Sequence, residues 1–105
     1  PIHIVAHILH PLWKPKDQPI VMNEEMTDGW LAYIQKVYSI DECEILQDQF
    51  DMYRNGVGRF SNELSKSHIA KCKPVSWWER YGDNVPLLQS LACRVLSQVL
   101  YFIFY

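Results

Sequence analysis

The chain has 105 residues, 49% hydrophobic and 21% charged, with a formal net charge of −2. That length admits one small domain, and that balance excludes a disordered segment. The densest basic stretch, from Lys66 to Lys73, holds only scattered lysines with His68 among them, too sparse to track phosphates, so direct nucleic-acid binding is not expected.

The first twelve residues place Ile2, Val5, Ala6, Leu9 and Leu12 at helical spacing, which predicts a helix from Pro1 to Leu12 limited by Pro11 and Pro15. Lys14 to Pro19 reads as a loop. A second helix is predicted over Met22 to Tyr38, with an apolar stripe of Trp30, Leu31, Ile34, Val37 and Tyr38. Gly29 weakens its middle, and Thr27 or Asp28 is the candidate internal cap. A third helix over Asp41 to Arg54 repeats Cys43, Leu46, Phe50 and Tyr53, and Asn55-Gly56 stops it. Val57 to Lys71 carries Phe60, Leu64 and Ile69 and predicts one short helix with loose ends. Pro74 is a first-turn proline ahead of Val75, Trp77, Trp78 and Tyr81, and Gly82 ends that helix. Asn84 is the expected cap of the last helix, with Pro86 in its first turn and Leu87, Leu88, Leu91, Ala92, Val95, Leu96 and Val99 following. The one β-prone stretch is Val99 to Tyr105. No internal repeat is present.

The residues able to carry chemistry are better explained by structure. Cys43, Cys72 and Cys93 form no C-x-x-C pair and are odd in number. They read as small hydrophobes in a reducing compartment rather than a zinc ribbon or a disulfide framework. His3, His7 and His10 share a face of the first helix, but Ile4 stands where a metalloprotease glutamate would follow His3, so they read as a polar edge and no metal or other cofactor is expected. Asp41, Glu42, Glu44, Asp48 and Asp51 read as a solvated helix face with the helix dipole favouring the first of them. Gly56-Val57-Gly58 is too short for a phosphate loop, and no nucleophile elbow occurs. Gln89, Arg94, Ser97 and Gln98 interrupt the apolar end, which argues against a membrane span. With Pro1 first and no signal peptide, the expectation is a chain cut from something longer or an incomplete gene model.

Trp77-Trp78 is the most informative pair. Neighbours on a helix point about 100° apart, so the helix must be covered on two sides or leave one indole exposed. Core packing is one reading, and a subunit contact is the other, since Trp is enriched at interfaces.

Lys73 to Val99 reads KPVSWWERYGDNVPLLQSLACRVLSQV. This segment resembles the C-terminal region of hAT-superfamily transposases, particularly the plant type. In that pattern a double Trp is followed by a charged linker with Gly, a Pro-x-Leu and an Ala-x-x-Val-Leu-Ser helix. Here these are Trp77-Trp78, Tyr81-Gly82-Asp83, Pro86 with Leu87 and Leu88, and Ala92 through Ser97. A weaker likeness extends upstream, through Ile4 to Pro11 and Gly58-Arg59-Phe60. The resemblance therefore covers residues 1–98, most specifically 73–99, with 99–105 as a hydrophobic tail foreign to the family.

The resemblance implies an all-α fold, an irregular bundle of about five helices belonging to the C-terminal region of an RNase H-like transposase. The expected core includes Leu9, Trp30, Ile34, Leu46, Phe50, Trp77, Leu88, Leu91, Val95 and Leu96. It implies dimerisation, as a homodimer or with a related transposase-like protein, in the nucleus. The family's last acidic metal ligand would follow the position where the pattern is lost at Gln98, and Glu79 precedes that place, so no catalytic residue is expected here. Two-metal chemistry needs carboxylates converging on the ions, and none of that set can be placed. The expected contact surface is Trp77, Trp78, Leu87, Leu91 and Val95 with the aromatic tail. The rival readings are a catalytic-domain fragment that works only with the missing acids, a membrane-associated peptide held by its tail, and a non-functional relic.

Overall fold

Helical spacing in the sequence becomes helix along most of the chain. The structure is a computed structural model that describes residues 2–15 and 17–104, with side chains described up to residue 99. In chain order it has α1 (Ile2–Leu9), a 3-10 turn (Pro11–Trp13), α2 (Glu24–Val37) and α3 (Ile40–Arg54). A second 3-10 turn (Gly58–Ser61) follows, then α4 (Glu63–His68), α5 (Pro74–Tyr81) and α6 (Pro86–Phe104). The described residues contain no strand. The expected all-α irregular bundle is what forms, with six helices among the described residues where about five were expected; Val57 to Lys71 holds a 3-10 turn and the short α4.

Local chemistry explains the starts and stops. Asn23, rather than Thr27 or Asp28, caps α2, its side chain accepting from the Met26 amide at 2.8 Å. Gly29 has a packing reason. A Cβ there would lie 3.0 Å from Cγ2 of Ile4, so the missing side chain lets α1 cross close over α2. Ser39 and Glu42 form a reciprocal capping box at the head of α3. At its foot Gly56 takes φ of +66°, a conformation that side chains resist. Asn84 does not cap α6. The first-turn amide of Leu88 donates instead to Oε1 of Gln49 on α3, at 2.8 Å. α6 then runs without a break through residue 98 to Phe104, so the β-prone tail is helical and the expected boundary at 98 is not marked in the backbone. The tail's side-chain contacts lie outside the described residues.

α1 packs against α2 and α6, α3 against α6, and α5 along α6, so α6 is the axis of the bundle. All ten expected core residues are buried, and Val5, Ile8, Tyr53 and Val85 join them. Each such aliphatic or aromatic side chain contributes about 1.5–3 kcal/mol by leaving water. Ile20 is buried although it lies in a loop. Its amide donates to the Arg54 carbonyl, and Arg54 Nε donates back to the Ile20 carbonyl at 2.8 Å, which ties the loop to the end of α3. Leu31 and Val37, assigned to the α2 stripe, stay exposed, as does Leu12 beyond the end of α1. Among the described residues no helix is long and apolar enough to cross a membrane.

Candidate interaction surface

Pro74 starts α5 and sets Trp77 and Trp78 on adjacent flanks of one turn. The bundle covers both flanks. Trp77 Nε1 donates to the Ser65 carbonyl of α4, and Trp78 Nε1 donates to the Leu9 carbonyl at the end of α1, each at 2.8 Å. The two rings meet edge to face, with centroids 5.4 Å apart, and Tyr53 and Phe60 close the cluster. Buried Trp is stable when its N–H finds an acceptor, and both do. Ser65 is itself buried and its hydroxyl is held against the carbonyls of Arg59 and Asn62, which fixes the α4 wall.

Four of the five numbered residues of the expected contact surface are buried within the single folded chain. Trp77, Trp78, Leu91 and Val95 are no more than 2% exposed. Enclosed in the core, these four hold α5 and α6 in shape. Leu87 is half-buried and keeps surface. It packs against the core from the first turn of α6.

The other singled-out groups fall as follows. His7 lies against the Trp13 ring, 4.4 Å between centroids, and His10 Nδ1 accepts from the Leu12 amide. Desolvation, and then the charge of His7, holds the His10 pKa below its ordinary value. No group of three or more His, Cys, Asp or Glu among the described residues is arranged to hold a metal ion. Cys43 is buried with its thiol against the Ile34 carbonyl, while Cys72 and Cys93 are half-buried and free. Glu79 is exposed on α5. The outer face of α3 carries Asp41, Glu44 and Asp48, all exposed, with Ile45 beside them.

A feature that sequence spacing does not announce is a groove where the first loop meets the end of α3 and the start of α4. Lys14 and Lys66 stand in its middle. Lys66 Nζ lies 3.0 Å from Asp17 Oδ1, and Lys14 Nζ lies 5.9 Å from the centre of the Tyr53 ring. A polar cavity of about 180 Å³ on one side reaches Gln18, Asn55 and Ser61. An apolar one of about 180 Å³ on the other reaches Pro11, Leu12, Ile69 and Trp77. Lys14 has its pKa depressed, first by desolvation and then by the charge of Lys66, with Asp17 acting against both.

Residues 50–100 match the hAT family C-terminal dimerisation region. This stretch is similar to that family's dimerisation region. The match begins at Phe50 in α3 and takes in α4, α5 and α6 as far as residue 100, so the double-Trp cluster, Leu87 and the Lys66 side of the groove all belong to it. Over those residues the chain is thus similar to a dimerisation module of hAT-transposase origin. No curated protein and no solved structure matches it.

Proposed function

We propose that this module works by binding a second copy of itself, or a related transposase-like protein, and that it catalyses nothing on its own. The observation that carries the reading is the match of residues 50–100 to a dimerisation region. What supports it further is surface chemistry. Leu87 on α6 and Ile45 on α3 leave apolar area beside charged groups, the mixture that protein contacts use. Trp77, Trp78, Leu91 and Val95 serve the contact indirectly, by holding α5 and α6 in shape. The acidic face of α3 argues against a polynucleotide partner, because it would repel phosphates.

Sedimentation of the full chain over a hundredfold concentration range tests this. A reversible monomer–dimer equilibrium is expected, and a monomer throughout would remove self-association. In parallel, incubation of DNA with the protein and Mg²⁺ or Mn²⁺ is expected to leave the strands intact; reproducible metal-dependent nicking would overturn the non-catalytic reading.

A further inference from the structure

We infer that two copies pair about a two-fold axis at the C-terminal ends of α6, the end of each seated in an apolar groove that the other forms between α1 and α6. This rests on the association proposed above and specifies the surface used.

This groove is a cavity of about 440 Å³. α1 contributes Ala6, the 3-10 turn after it Leu12 and Trp13, and α6 Leu96 and Val99. Among the described residues no carboxylate, lysine or arginine lines it. Leu12 is 64% exposed at its rim, and Trp13 and Val99 keep part of their surface. A partner that takes such a hollow and its leucine out of water stabilises the pair. His3, His7 and His10 stand along one side, which gives an apolar floor a polar edge of imidazoles. That mixture suits aromatic side chains, some carrying hydroxyls, better than charged ones.

The last residues of this sequence have that chemistry. Residues 100–105 read Leu-Tyr-Phe-Ile-Phe-Tyr, with no charged side chain. The backbone carries them away from their own groove. α6 is helical as far as Phe104, so it continues along its axis, and at about 1.5 Å per residue position 104 lies about 8 Å beyond Val99. A helix that forms one wall of the groove does not also turn back to fill it, whereas the same helix of a second copy can. The stretch that matches a dimerisation region favours a copy over a foreign chain. It includes both α6 residues of the groove and ends at residue 100, within the same helix.

Groove and helix end adjoin within each chain, because Leu96 and Val99 belong to both. A two-fold rotation close to Val99 lays α6 antiparallel to its copy and sets each end over the other's groove. One contact generates the other, so the surface is complementary to itself, as an isologous interface requires. Ile103 recurs at helical spacing from Leu96 and Val99, so the apolar stripe of α6 extends into the exchanged segment. Each copy offers one groove and one helix end. That is a small interface, and the pairing is expected to be reversible.

The test is sedimentation of two variants of the full chain, separately and mixed. Leu12→Arg puts a charge at the rim of the groove, and Ile103→Glu puts one on the helix end. Each should weaken the dimer about tenfold or more, as loss of an anchoring apolar contact does. Mixing them should restore dimers. The mixed pair keeps one untouched groove with one untouched end, and sets the arginine against the glutamate in the other. Circular dichroism melts accompany each protein, and Leu12 is at the surface, so its substitution tests the groove without disturbing the core. If the parent chain dimerises and Leu12→Arg dimerises equally well, or the mixture restores nothing, this interface is wrong while dimerisation stands. Oligomers that keep growing with concentration would also overturn it, since a two-fold exchange closes at two copies. If the parent chain is monomeric throughout, the association itself falls and this interface with it.

Discussion

At the scale of single residues, Tyr53 is out of line with its neighbours. Its ring packs 4.8 Å from Trp78 and 5.2 Å from Phe60, between centroids, and its hydroxyl is buried with no hydrogen-bond partner among the described residues. Burial alone pushes the phenol far above its ordinary pKa, so the group stays neutral throughout the working range. A buried hydroxyl without a partner costs about 1–3 kcal/mol, whereas Phe fills the same space with nothing to satisfy. Tyr53→Phe is therefore expected to raise stability by about 1 kcal/mol, read as a higher urea midpoint with an unchanged slope. A loss of similar size would reveal an acceptor for that hydroxyl. The two indoles nearby are the opposite case, because each N–H reaches a carbonyl. The sequence makes half of this legible. Adjacent Trp on a helix demands cover on two sides, and α1 and α4 provide it. That both rings are buried within one chain was not legible, since Trp is common in cores and interfaces alike and the Leu9 and Ser65 carbonyls that hold them are distant in sequence.

Among the elements, α6 owes its start to another helix. Asn84 has the side chain and the position of a cap, yet Gln49 reaches over from α3 and takes the Leu88 amide. Gln49→Ala should cost about 1 kcal/mol of stability, in the range of a lost cap, and Asn84→Ala close to nothing. Thermal melts of the two variants settle the assignment, which is wrong if Asn84→Ala is the costlier change. The pair also shows where local reading stops. Starts fixed within a few residues, such as Ser39 with Glu42 and Pro74, can be seen in the sequence. A contact between positions 39 residues apart cannot. The same holds for Ile20. It lies in no periodic stripe and is buried because Arg54 closes the loop over it. Leu31 and Val37 err in the other direction, since α2 buries a narrower stripe around Trp30 and Ile34 than its apolar residues suggest.

For the whole molecule, hydrophobic periodicity carried the helical class and the core, because helices that bury one face write that face into the sequence every three or four residues. The groove left no such trace. Lys66 and Asp17 are 49 positions apart, and lysines so dispersed read as ordinary surface. The core that results is complete within one chain. The Cα radius of gyration is 12.9 Å, the value of about 13 Å that a packed domain of this size has. The residues most suited to an obligate interface, Trp77, Trp78, Leu91 and Val95, are already enclosed. Folding should therefore not wait for the partner. Dilution below the dissociation constant is expected to leave a helical spectrum and a cooperative melt, with the melting temperature rising as concentration increases. Mass action sets the size of that rise, about 2.7 kcal/mol when free partner exceeds the dissociation constant a hundredfold. Loss of helix on dilution would mean that the second copy completes the core, and the burial seen in one chain would then describe only the associated state.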